Sequence, residues 1–117
     1  MNNKLIALAL LAAATLLSQA ATAADIANGR ALMEKYNCAS CHGKDYTSPT
    51  DPAYPKLAGQ HEDYIKHALT AYRRGDSAMN GRNNAIMSPL AKPLSDRDIA
   101  DIAAFLHSLP GTLVLRK

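Results

Sequence analysis

The chain contains no tryptophan and one phenylalanine, Phe105, and its 117 residues include two cysteines. A domain this short of large aromatics has little with which to fill a core, and small domains have little burial to spare. No apolar run is long enough to span a bilayer: Leu5 to Leu17 is about 13 residues, where about 20 are needed. No basic run occurs, and no basic stretch interleaves with aromatics, which argues against nucleic acid as a partner. Two cysteines cannot build a disulfide framework, and one Cys-x-x-Cys bridge would close only a tiny loop.

The opening segment, "MNNKLIALALLAAATLLSQAATAAD", has a polar start with one positive charge, Lys4, then the apolar run, then Ala21-Thr22-Ala23 as an A-x-A cleavage signal. This predicts a secretory signal peptide over residues 1–23, with cleavage after Ala23 or Ala24 and one domain over 24–117. The expected compartment is the periplasm, with no stable membrane insertion once the leader is gone. Lys plus Arg is 13 and Asp plus Glu is 10; without Lys4 the balance is 12 against 10, a net of +2. The charges are dispersed and point to no particular partner.

Three segments have helical periodicity. Asp25 to about Tyr36 places Ile26, Gly29, Leu32, Met33 and Tyr36 on one face. Gly29 costs helix propensity, roughly 1 kcal/mol relative to Ala, which makes sense if another helix comes close there. His61 to Arg74 carries a stripe of Tyr64 or Ile65, Ala68, Leu69 and Tyr72. Its acids lie in the first turn, its arginines in the last, and Gly75 follows as a cap. Ser95 to Leu109 begins with a near capping box, Ser95 and Asp98, and ends at Pro110-Gly111. Between these helices lie Gly43–Gln60 and Gly75–Leu94, both rich in Pro, Gly or Asn and read as irregular loops. Loops of this length are usually functional or disordered. Wrapping around a large ligand would explain both, and would supply the missing interior.

"YNCASCHGK" holds both cysteines and a histidine. On a helical turn, Cys38 and Cys41 project from one side. Two thiols so placed can each bond a haem vinyl group, and His42 can bring an imidazole nitrogen under the iron; Cys-x-x-Cys-His is the c-type haem attachment pattern. The rival readings fit less well. A redox dithiol needs a βαβ context, a structural zinc site needs a fourth ligand, and a plain disulfide leaves the histidine idle. The candidates for the opposite axial position are Met33, Met79, Met87, His61, His67 and His107. Met33 lies on a core face, the three histidines lie at polar or boundary positions, and Met79 has polar, flexible neighbours. Met87, flanked by Ile86 and Leu90 and stiffened by Pro89, is the expected ligand.

"CASCH" near the mature start, "MSP" at Met87–Pro89 and a final helix make the chain resemble class I c-type cytochromes. "YPKLAGQHEDYI" with "MSPLAKPLSDRDIADIAAFL" resembles one half of the periplasmic dihaem bacterial cytochromes c, over nearly the whole mature chain. A single CxxCH departs from that pattern and marks a one-haem relative; self-pairing into a homodimer stays open. The resemblance implies an all-α, small class I cytochrome c fold, three main helices with long loops wrapped around one covalently bound haem c. It implies Cys38 and Cys41 as thioether sites, His42 and Met87 as iron ligands, and Pro55 as the carbonyl that accepts from the histidine. Gly29 and Phe105 match a helix crossing. Leu57, Leu90 and Leu106 would wall the haem, and Gln60 or Arg73 would meet a propionate. Lys44, Lys56 and Lys92 are candidate rim charges. The function implied is single-electron transfer without catalysis, through transient redox protein partners. The alternatives are a cytochrome subunit held by a dehydrogenase, and a haem enzyme or gas sensor with a labile sixth ligand.

Overall fold

Gly29 decides how the two terminal helices meet. In the computed structural model, which describes residues 23–112, helix α1 spans Ile26–Lys35 and helix α5 spans Asp96–Ser108. A Cβ at Gly29 would stand 2.1 Å from the Asp101 carbonyl oxygen and 2.8 Å from the Phe105 Cβ. The crossing of backbones therefore requires the hydrogen that only glycine offers. The leader expected over residues 1–23 lies, Ala23 apart, outside the described residues.

Between these helices come α2 (Ala39–His42), α3 (Glu62–Arg74), a 3₁₀ turn (Gly75–Ser77) and α4 (Met87–Ala91). No strand occurs among the described residues. The three long helices lie within a residue or two of their sequence expectation because their ends carry chemical signals. The Asp25 carboxylate accepts from the Asn28 N–H, 3.0 Å. Ser95 and Asp98 form a reciprocal capping box. Gly75 closes α3 with φ 68°.

Asp101 locks the crossing. It is 1 % exposed, and its carboxylate accepts from the Asp25 N–H (2.7 Å), Asn28 Nδ2 (2.8 Å) and Arg97 Nε (3.0 Å). Burial on its own would raise the Asp101 carboxyl, but these bonds and the Arg97 charge outweigh it and hold the group below the ordinary carboxylate range. Around this contact the buried side chains Leu32, Met33, Ile65, Ile99, Ile102, Phe105 and Leu106 form the core.

Of the α3 stripe only Ile65 is buried; Tyr64 is 51 % exposed, and Ala68, Leu69 and Tyr72 are half-buried. That face borders a cavity, while Leu69 and Tyr72 also pack against the core. The stretch Gly75–Leu94 is not irregular throughout, because α4 forms within it. Asn84 Oδ1 accepts from the Ile86 and Met87 N–H groups, 2.9 and 2.8 Å, and so caps this turn. Pro89 sits in the first turn, where its missing N–H costs nothing.

Candidate cofactor pocket

The Cys-x-x-Cys-His segment turns helically, as its spacing predicts. His42 N–H donates to the Cys38 carbonyl, 3.1 Å, and Gly43 N–H to that of Ala39, 3.0 Å. The chain must then leave abruptly. Gly43 has φ 85°, and a Cβ there would lie 2.2 Å from the Ser48 carbonyl oxygen. Next, the Asp45 carboxylate accepts from the Thr47 and Ser48 backbone N–H groups, 2.9 and 2.8 Å, and from the Ser48 hydroxyl. The Thr47 bonds first, then those of Ser48, hold this carboxyl well below its usual range. Tyr46, buried at φ 57°, sets its ring edge-on to Phe105 at 5.9 Å, and its carbonyl accepts from the Leu57 and Ala58 N–H groups. The loop is thereby folded back under the motif, which brings Pro55 to His42.

His42 is 6 % exposed, and its Nδ1 lies 2.8 Å from the Pro55 carbonyl oxygen. A carbonyl only accepts, so Nδ1 carries a proton, and in the neutral imidazole Nε2 is the nitrogen with the lone pair. His42 lines a cavity of ≈ 520 Å³ together with Cys38, Cys41, Pro55 and Met87. Leu57, Leu90 and Leu106 are among its apolar walls; Gln60, Asn84 and Arg82 are among its polar ones. The volume falls within the roughly 300–1,000 Å³ of cofactor sites. Burial, the largest influence, pushes the Cys38 thiol up.

The other candidates separate cleanly. Met79 is fully exposed at 102 % and does not line the cavity. His61 and His67 are exposed and also lie outside it, while His107 Nδ1 is 2.9 Å from the Gln60 carbonyl oxygen. Met33 reaches the wall but is 2 % exposed within the core. Arg73 does not serve the cavity: it donates to the Leu94 carbonyl, 2.8 Å, and pairs with Asp96, which turns it along α3 toward α5. Lys56 stands at the cavity wall; Lys44 borders a separate small groove beside Phe105, and Lys92 borders neither. Among the described residues no cluster of three or more His, Cys, Asp or Glu could hold a bare metal ion, which leaves the zinc reading without ligands.

This donor set fits a haem. Two thiols stand a helical turn apart, an imidazole offers one free nitrogen into an apolar space, and a thioether faces the same space from another element. Sequence reasoning did not single out Tyr46 or Arg82. Tyr46 gave no signal in a loop of mixed composition, and Arg82 gave none between Gly81 and Asn83.

Comparison with known proteins agrees with this chemistry. The family model "Cytochrome c" matches residues 26–110. Cytochrome c-554(548) of Halomonas halodenitrificans is 46 % identical over 71 residues, 61 % of this chain and 82 % of that protein. The thiosulfate dehydrogenase electron acceptor of Stutzerimonas stutzeri is 37 % identical over 103 residues, 85 % of this chain and 45 % of the relative. The crystal structure of reduced recombinant cytochrome c4 from Pseudomonas stutzeri superposes with TM-score 0.68 at 35 % identity, over 78 % of this chain and 48 % of that one. The chain thus spans about half the length of the last two.

Proposed function

The chain belongs to the cytochrome c family, and from that premise we propose that it is an exported carrier of single electrons, built on one covalently bound haem c. Haem c supplies a one-electron ferric/ferrous couple. This chain's residues attach it, hold its axial positions and keep water away. Cys38 and Cys41 form the two thioether links. His42, through Nε2, and Met87 would ligate the iron. The Pro55 carbonyl orients the ring and strengthens the imidazole as a donor. A thioether opposite the histidine favours the reduced state relative to more basic ligands.

The observation that carries the reading is the His42–Pro55 contact of 2.8 Å. It commits the neutral imidazole to one tautomer, leaving Nε2 as the available nitrogen of a side chain that lines the cavity both thiols and Met87 share. Two filled axial positions suit a carrier rather than a catalyst. The leader directs the protein to the periplasm, and no helix among the described residues is long and apolar enough to cross a membrane. A relative named as an electron acceptor of thiosulfate dehydrogenase favours a dehydrogenase as donor, met transiently across a small interface. Pairing of two copies would restore the length of the longer relatives, and native mass measurement decides it.

The test is optical. Purified protein should show a low-spin c-type spectrum and a weak near-infrared band of methionine ligation in the ferric state. Met87→Ala should abolish that band and Met79→Ala should leave it intact. Survival of the band in Met87→Ala sinks the distal assignment. Prompt carbon monoxide binding by the reduced wild type at neutral pH would instead favour a sensor or enzyme.

A further inference from the structure

Arg82 is exposed on a loop, a place where arginine is ordinarily solvated. Here its guanidinium lies between two rings of α3, two turns apart: 5.8 Å from the Tyr64 centroid and 5.5 Å from that of Tyr72. The two neighbouring phenols also push its pKa up. Its backbone is held as well, since the Arg82 N–H donates to the Ala71 carbonyl, 2.9 Å. One loop residue is thus fixed to three points of α3.

The path from Arg82 to Met87 is short and fully bonded. Ser88 Oγ donates to the Arg82 carbonyl (3.3 Å) and accepts from the Asn84 N–H (3.2 Å). The Asn84 carbonyl accepts from the Ser88 N–H (3.0 Å), and its side chain caps the Ile86 and Met87 N–H groups. Met87 is the first residue of α4. Withdrawing Met87 from the cavity moves α4, and α4 is tied through Asn84 and Ser88 to Arg82.

We propose that Tyr64, Arg82 and Tyr72 form the latch that holds the distal loop shut, making Arg82 the positioning residue that sets how readily Met87 gives way to an outside ligand. The inference rests on Met87 as distal ligand. An entering ligand binds only the open loop, so its apparent affinity scales with the open fraction. The two cation–π contacts and the Arg82 N–H bond to the Ala71 carbonyl weigh toward the closed form.

The experiment is a titration of ferric holoprotein with imidazole, followed in the Soret and near-infrared bands, beside denaturant unfolding of the same samples. Arg82→Gln should bind imidazole roughly tenfold more tightly than wild type, which corresponds to about 1.4 kcal/mol. Arg82→Lys, which keeps the charge and loses the fork, should fall between. The double variant Tyr64→Phe, Tyr72→Phe keeps the rings and should show a smaller rise. A clamp that persists after Met87 leaves would lower global stability in Arg82→Gln with imidazole affinity unchanged; that result overturns the latch. Met87→Ala separates the two readings. If it keeps the methionine band, the distal assignment fails and the latch with it. If it loses the band while Arg82→Gln matches wild type, the latch alone is overturned.

Discussion

Replacing Gly29 by alanine should destabilise the holoprotein, although alanine is the better helix former. On an isolated helix the exchange would gain about 1 kcal/mol. In this fold the new methyl carbon would meet backbone, at 2.1 Å from the Asp101 oxygen and 2.6 Å from its carbonyl carbon. Relief to ordinary contact requires α1 and α5 to part by roughly 1 Å, a gap that forfeits a quarter to a half of the dispersion between facing atoms. The same movement stretches the bonds that Asp101 accepts from Asp25 and Asn28, 2.7 and 2.8 Å in the wild type. Overpacking costs about 1–3 kcal/mol, and each charge-assisted bond about 1.5–3 kcal/mol. After the helix gain is subtracted, a net loss of about 2–4 kcal/mol is expected, or roughly 10 °C and more in Tm for a domain of this size. Thermal and denaturant unfolding of the ferric holoprotein, followed in the Soret band, measure it. A Gly29→Ala protein as stable as wild type would refute the close crossing and the account of why glycine occupies that face.

Asp101→Asn should cost about 2–3 kcal/mol at neutral pH, because the amide presents a donor to Asn28 and Arg97 where the carboxylate accepted. The Asp101 carboxyl titrates below its ordinary value when folded, so its stabilisation is complete above that ordinary value and fades as pH falls through the depressed one. The difference between wild type and Asp101→Asn in denaturant midpoint should therefore shrink from pH 5 toward pH 2; a gap that widens on acidification would reverse the assigned sign. Gly43→Ala, at φ 85° and against the Ser48 carbonyl, should lose roughly 3 kcal/mol or more. Its yield of covalently loaded protein should fall with it, and wild-type yield and midpoint would show that the turn after His42 can relax.

The three long helices were legible because their signals are local. Asp25, Ser95 and Asp98 cap them, Gly75 ends one, and the apolar spacing of Ile99, Ile102, Ala103 and Leu106 repeats with the helical turn. Helix α4 was not legible. Five residues cannot sustain themselves on propensity, and Pro89 among asparagines and glycines reads as loop. It forms because Asn84 caps it and α3 supports it. The α3 stripe was legible as one apolar face and no further, since periodicity reports which residues share a face and not whether that face meets side chains or a cavity. Arg73 was a reasonable cation for a carboxylate on its charge alone. Its rotation about α3 sends it to Leu94 and Asp96 instead.

The sequence by itself determined the attachment chemistry. Two thiols and an imidazole within five residues are set by covalent spacing and one helical turn, and no distant residue can change that. It also determined that the interior needed something beyond its own side chains, from the shortage of aromatics. Only the tertiary structure placed Met87 in the wall of the cavity that His42 lines and Met79 outside it, a matter of loop path. It alone brought the Pro55 carbonyl to Nδ1, after a loop held by the positive-φ turns at Gly43 and Tyr46. It alone set Arg82 between two tyrosines of another helix. Contacts of these kinds depend on how separate segments lie in space, which helix packing imposes and local residue preferences do not encode.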